Sequence, residues 1–147
     1  MRVIIFISIF LIIGCKQKKM SSVETWVSDR CENLYRKISF SELLDSLLYL
    51  HGQKIELEGY YHEAFETSAL TKRENYDSEK VLWIDFDYNL FRIQGSDTVY
   101  LLNSPDAIHS LNYRRIKLRG IVDAKSHGHL GAYSGTIKEI CYMEVMN

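Results

Sequence analysis

Two stretches of this 147-residue chain repeat one pattern, "KIELEG" at 54–59 and "RIKLRG" at 115–120. Each runs basic, Ile, charged, Leu, charged, Gly. Apolar and charged side chains that alternate residue by residue put one face of a strand in a core and the other in water. A glycine inside such a strand marks a bulge or a sharp bend. Two strands that bend at matching places suit a small closed barrel, whose sheet must curve to meet itself.

The alternation starts abruptly after Gly52. Upstream, "ISFSELLDSLLYLHG" (38–52) has helical spacing. Ser39 is placed to cap it, with Glu42 three residues on as a capping box and Ile38 and Leu43 as a hydrophobic staple. Phe40, Leu43, Leu44, Leu47 and Leu48 share one face, and Gly52 supplies a left-handed stop. Downstream, "VLWIDFD" (81–87) carries Leu82, Ile84 and Phe86 on one side and Trp83 on the other. "TVYLL" (98–102) is a shorter strand, and "RRIKLRGIVD" (114–123) and "AYSGTIKEICYMEV" (132–145) are the last two. "NSPDAIHSLNY" predicts a helical turn, with Ser104 as cap and Pro105 at the first helical position. "TKRENYDSEK" (71–80) is highly charged and reads as a solvated hairpin loop.

This order resembles an OB-fold over about residues 53–146, with a helix between the third and fourth barrel strands. The expected fold is therefore mainly β: a small five-stranded OB-like barrel with an N-terminal amphipathic helix and a short helix between strands 3 and 4. An extra strand is inserted near Val99. Within that shape the chain is similar to a group of small bacterial proteins with OB-like domains. The likeness rests on Gly59, His62, Phe65 and Glu66, then on Gly128, His129, Leu130, Gly131, Tyr133, Ser134, Gly135 and Ile137. It implies a fold and brings no activity with it.

The opening "MRVIIFISIFLIIGC" bears on compartment. Its apolar run from Val3 to Ile13 rises about 16 Å as a helix, against roughly 30 Å of bilayer hydrocarbon, too short for an ordinary span. Behind Arg2 it reads as an export signal. "IIGC" resembles the bacterial lipobox, which implies cleavage before Cys15 and acylation of its thiol. The expected organisation is a signal peptide at 1–14, lipidated Cys15 and a tether at 15–36, and the barrel with its preceding helix at 37–147. The protein is then anchored in the cell envelope. Lys16 after the cysteine favours the outer membrane, facing the periplasm, if the cell is Gram-negative. Cys31 and Cys141 remain as an even pair of thiols in an oxidising compartment, open to a disulfide; alternatively Cys141 is a small buried hydrophobe. A formal charge of −1 and a pI near 6.5 lack the basic excess of a nucleic-acid binder, so none is expected as partner.

"SHGHLGAYSG" (126–135) gathers the candidate chemistry. Gly128 and Gly131 suit a tight turn that His129 could pin through a backbone carbonyl. Alternatively His62, Glu66, Trp83, His129 and Tyr133 contact a ligand. A third arrangement joins His62, His127 and His129 as ligands of zinc or a similar metal, with Glu63, Glu66 or Asp123 nearby. No other cofactor is expected. Ser134 does not stand in a G-x-S-x-G elbow, and no residue is assigned to catalysis. Tyr60, Tyr61, Phe65, Trp83, Tyr88, Phe91, Tyr100 and Tyr133 could form a stacking platform or fill half-buried strand positions. The expected function is a membrane-anchored, non-enzymatic binding module for a peptide, a glycan or an envelope protein. The alternatives are a metal-binding protein or metal-dependent enzyme, and a structural envelope component.

Overall fold

The computed structural model describes residues 25–32, 34–77, 80–86, 90–93, 99–101 and 108–146, with the backbone alone for 90–93 and 99–101. The export signal, Cys15 and the first part of the expected tether lie outside these residues. In chain order the elements are β1 Thr25–Val27, β2 Arg36–Lys37, α1 Phe40–Asp45, β3 Lys54–Ala64, β4 Thr67–Thr71, β5 Val81–Ile84, β6 Leu90–Ile93, β7 Val99–Leu101, β8 Arg115–Asp123 and β9 Gly135–Val145. Five strands close a barrel. β3 pairs with β4, β4 with β5, β5 in parallel with β9, β9 with β8, and β8 again with β3. This closure, with one parallel pair, gives the OB-like barrel. β1 continues the sheet from β9 to β6 and β7, and β2 lies parallel to the start of β3.

The two repeated stretches are partners. β3 and β8 run antiparallel with Ile55 opposite Gly120, Leu57 opposite Leu118 and Gly59 opposite Ile116. Each glycine thus faces the isoleucine of the other repeat. A Cβ on Gly59 would stand 2.7 Å from Leu70 Cγ and 2.8 Å from the Thr71 carbonyl oxygen. Here β3 passes from β8 to β4, and a side chain would hold the strands apart. A Cβ on Gly120 would stand 2.8 Å from the Lys138 carbonyl oxygen and from Ile137 and Ile140. Opposite it, β9 shifts register between the partners of Arg119 and Ile121, with Glu139 at φ 51°. The bends expected of the two glycines are thus a change of partner and a bulge.

The inner face is apolar. Ile55, Leu57, Tyr61, Leu70, Leu82, Ile84, Ile116, Leu118, Val122, Ile137 and Met143 are buried in one cluster with Phe40, Leu43 and Leu50. Outside, the charges pair across strands. Arg119 reaches Glu56, Arg115 reaches Glu58 and Lys117 reaches Glu144, each at 2.8 Å, and Lys138 reaches Asp123 at 2.7 Å. Burial, helped by its bond to Glu144, pushes the Tyr142 hydroxyl up to about 12. The basic run of the second repeat is therefore one side of a charge ladder.

The helix is shorter than its spacing predicts. Ser39 caps it by accepting from the Glu42 N–H at 3.2 Å, but the Glu42 carboxylate pairs with Arg36 at 2.8 Å. The α-helix ends at Asp45, and residues 46–52 continue as turns to Gly52 at φ 79°. The consecutive leucines explain the difference. Turns bury Leu50 and leave Leu48 outside, so Leu48 is not part of the core face. A six-residue helix gains little stability of its own and yields to the packing of the turns after it. The described part of the expected second helix is a turn from Ile108, closed by Leu111 N–H to Ile108 and Asn112 N–H to His109; Ser104 and Pro105 lie outside the described residues.

The sheet also begins earlier than the expected domain start at residue 37. Thr25 pairs with Glu144, Trp26 is buried in the core, and Cys31 is bridged to Cys141 across 110 residues of sequence. The Tyr35 hydroxyl lies 3.1 Å from Cys141 Sγ. Two outcomes are expected. Gly120→Ala should lose about 1–3 kcal/mol to overpacking, read as a lower urea midpoint; an unchanged midpoint would show that the bulge accepts a methyl group. Opening the disulfide with reductant should remove about 2–5 kcal/mol, measured by the same titration.

Candidate binding site

The segment 124–134 leaves β8, crosses the outer face of β5 and reaches the β3–β4 hairpin. Its first turn is tied down by Asp123, whose carboxylate accepts the Lys125 and Ser126 N–H groups at 3.1 and 3.3 Å. The hydrogen bond from Lys138 holds that carboxyl below its usual range, against the opposing effect of burial. Thr136 donates to the Ser126 carbonyl at 3.0 Å. A 3-10 turn comes next, at His129–Gly131. Gly128 has φ 61°, and a Cβ there would stand 2.6 Å from Trp83 and 2.7 Å from Tyr133. Only glycine fits, for two reasons: the left-handed backbone and the ring beneath it.

The two histidines take different tasks from those expected. His127, not His129, pins the turn: its Nδ1 lies 2.9 Å from the Tyr133 carbonyl oxygen, while the Tyr133 N–H donates to the His127 carbonyl at 3.1 Å. His129 instead crosses to the β3–β4 hairpin, with Nε2 3.1 Å from Glu66 Oε2. Glu66 has φ 57°, the left-handed residue of that hairpin. One imidazole–carboxylate contact therefore joins the two loops. Such a half-exposed pair contributes about 0–1 kcal/mol, so it sets register more than stability.

Trp83 faces outward as its alternation predicts, and it is partly covered. Its ring meets Tyr133 edge-on at 5.0 Å, Ala69 and Val81 lie alongside, and Tyr133 is 7 % exposed. His62 lies on the same outer surface of the sheet, opposite Ala69, and is 4 % exposed. The Thr71 hydroxyl donates to the Arg73 carbonyl at 2.5 Å, so its oxygen accepts from His62 Nε2 at 2.8 Å, which fixes the tautomer. Tyr76 and Tyr113 close over the imidazole edge-on at 5.5 and 5.6 Å. The charged 71–80 stretch is thus not wholly solvated, since Tyr76 folds back over His62. Tyr76 and Tyr113 went unnoticed in the sequence, where nothing links them to His62.

The structure brings Glu66 to His129 and Trp83 to Tyr133, and it places His62 among tyrosines. Among the described residues no group of three or more His, Cys, Asp or Glu side chains is disposed to hold a metal ion. His62, His127 and His129 therefore do not form one ligand set. The side chains that stand free at the joined loops are apolar: Phe65 is 90 % exposed beside Glu66, and Leu130 is 88 % exposed beside His129, at φ 55°.

Burial lowers the His62 pKa, with the Arg73 carbonyl acting the other way. Between that lowered value and about 6.5, the unfolded chain binds a proton that the folded one refuses. Stability from this group is whole above about pH 6.5 and is lost as pH falls through that window. Urea titrations at about pH 7.5 and about pH 5.5 should show a loss on acidification that shrinks in His62→Gln; an equal loss in both proteins would remove His62 as its source. No protein-family model, curated protein or solved structure matches this chain.

Proposed function

We propose that the protein is an envelope lipoprotein, anchored through Cys15, whose barrel is a non-enzymatic binding module for a protein or peptide partner. The observation that carries this reading is the pair of bare side chains Phe65 and Leu130 at two loops joined by Glu66 and His129. OB-type barrels bind their ligands at the corresponding two loops and the strand face between them. Here Trp83 packs edge-on against Tyr133 and the half-exposed Tyr76 edge-on against His62, so the rings of this face engage one another and are not laid flat for bases or sugar rings. A partner with an apolar recess fits better than an oligonucleotide or a glycan.

Leu130 adds a second reason. A left-handed leucine costs roughly 1–2 kcal/mol, and its exposed side chain recovers nothing from the core. Strain at a bare apolar residue points to a use outside the fold. Burying Phe65 and Leu130 together supplies about 3–6 kcal/mol before association costs. That suits a transient contact strengthened by confinement to a membrane.

Three outcomes are expected. Leu130→Asn should leave the fold intact or stabilise it by up to about 1 kcal/mol, because asparagine tolerates the left-handed region. A photo-reactive phenylalanine analogue at position 65 in cells should trap one partner, lost in Leu130→Asn, while the same probe at Lys117 on the charge ladder should not. Equal labelling from both positions would sink the assignment. Cys15→Ser should abolish palmitate incorporation and membrane retention; a free thiol on Cys15 in the wild-type protein would refute the anchor.

A further inference from the structure

A groove of about 490 Å³ runs between α1 and the 71–80 loop. Ser41 and Asp45, one turn apart on α1, line one side, and Lys72, Arg73, Asp77 and Lys80 line the other. Its cations differ from those on the barrel. Arg36, Lys54, Arg115, Lys117, Arg119 and Lys138 each reach a carboxylate within 2.8 Å. Among the described residues no carboxylate pairs with Lys72, Arg73 or Lys80, although two line the same groove. Lys72 instead donates to the Ser41 hydroxyl at 2.7 Å, a partner without charge. Cations gathered in a cleft and left unpaired draw anions to it.

We propose that this groove binds a phosphorylated sugar, either free in solution or as the headgroup of a lipid. Its volume falls among small-molecule sites, roughly 300–1,000 Å³, and exceeds what an inorganic anion fills. The planar Arg73 guanidinium is shaped to hold two phosphate oxygens at once, with Lys72 and Lys80 as point charges beside it. The backbone beneath them is fixed. Thr71 is 1 % exposed, and its hydroxyl donates to the Arg73 carbonyl at 2.5 Å while accepting from His62. Lys72 and Arg73 thus stand on a turn that the buried side of the loop holds in place.

The carboxylates decide what the phosphate is attached to. Asp45 and Asp77 beside the cations disfavour a ligand that is anionic throughout. They suit one with a single phosphate and several hydroxyls, because a carboxylate accepts from hydroxyl groups and offers no donor of its own. Leu44, on the same helix face as Ser41 and Asp45, gives the groove an apolar strip for the carbon side of a sugar ring. No aromatic ring lines the groove among the described residues, so a nucleobase would find nothing to stack on. The groove shares no residue with the loops that carry Phe65 and Leu130.

The test titrates the full chain, in a nonionic detergent free of sugar, with glucose 6-phosphate in a calorimeter at low salt. The expected result is saturable binding, several-fold tighter than that of inorganic phosphate, and none of glucose. Arg73→Gln should weaken it about ten-fold or more while leaving the urea midpoint unchanged. Asp45→Asn should narrow the advantage over inorganic phosphate, and Lys125→Gln, at an exposed cation elsewhere, should change nothing. No saturable binding, or equal losses in Arg73→Gln and Lys125→Gln, overturns the site. Equal affinity for inorganic phosphate and the sugar ester overturns the sugar. Displacement of the ester by a phosphatidylinositol phosphate in the same micelles supports a lipid headgroup as the source; binding that this lipid does not disturb supports a soluble ester.

Discussion

Everything else in the molecule depends on the close contact of β3 with β8 and on the two glycines that let each strand turn away from it. A flat antiparallel pair of nine-residue strands would stay a ribbon. Gly59 lets β3 leave β8 for β4, and Gly120 lets β9 bulge around β8 so that its start can reach β5. A Cβ on either glycine would stand 2.8 Å from a neighbouring carbonyl oxygen. Curvature is thus written in the absence of two methyl groups, and the barrel closes without an exposed edge along β4 or β5.

That closure has a consequence for the outer surface. A small barrel fills its interior with its own side chains, so any recognition must occur outside. On the charged side, carboxylates and cations pair across β3, β8 and β9. On the opposite side, the 124–134 segment, with its Tyr133, lies over Trp83, and Tyr76 lies over His62. The sheet is partly covered on one side and neutralised on the other, and among the described residues the barest apolar side chains stand in the loops and turns.

The strands were legible because charges and aliphatics alternate without a break in 54–59 and 115–120, a pattern that no helix can bury. The helix was legible only at its cap, since the spacing of Leu47, Leu48 and Leu50 does not say where a helix gives way to turns. β1 was missed: "TWV" is too short to show a period, and its place is decided by pairing with β9 and by the bridge at Cys31. At the site, "SHGHLGAYSG" pointed to His129 as the residue that pins the turn, whereas His127 makes that contact. Which imidazole reaches a carbonyl depends on the backbone angles at Gly128 and Leu130, and neither angle is visible in residue identity.

The bridge between Cys31 and Cys141 changes how the molecule would bear a load. Under the proposed N-terminal anchoring, β1 is the first described element that a pull from that side meets. Three residues of antiparallel pairing can be peeled open one bond at a time. Peeling stops at Cys31, because beyond it the strain passes covalently into β9, near the middle of the strand that β1, β5 and β8 all hold. A pull from the N-terminal side would thereby reach the barrel through its best-supported strand, and β1 can open without letting the domain come apart.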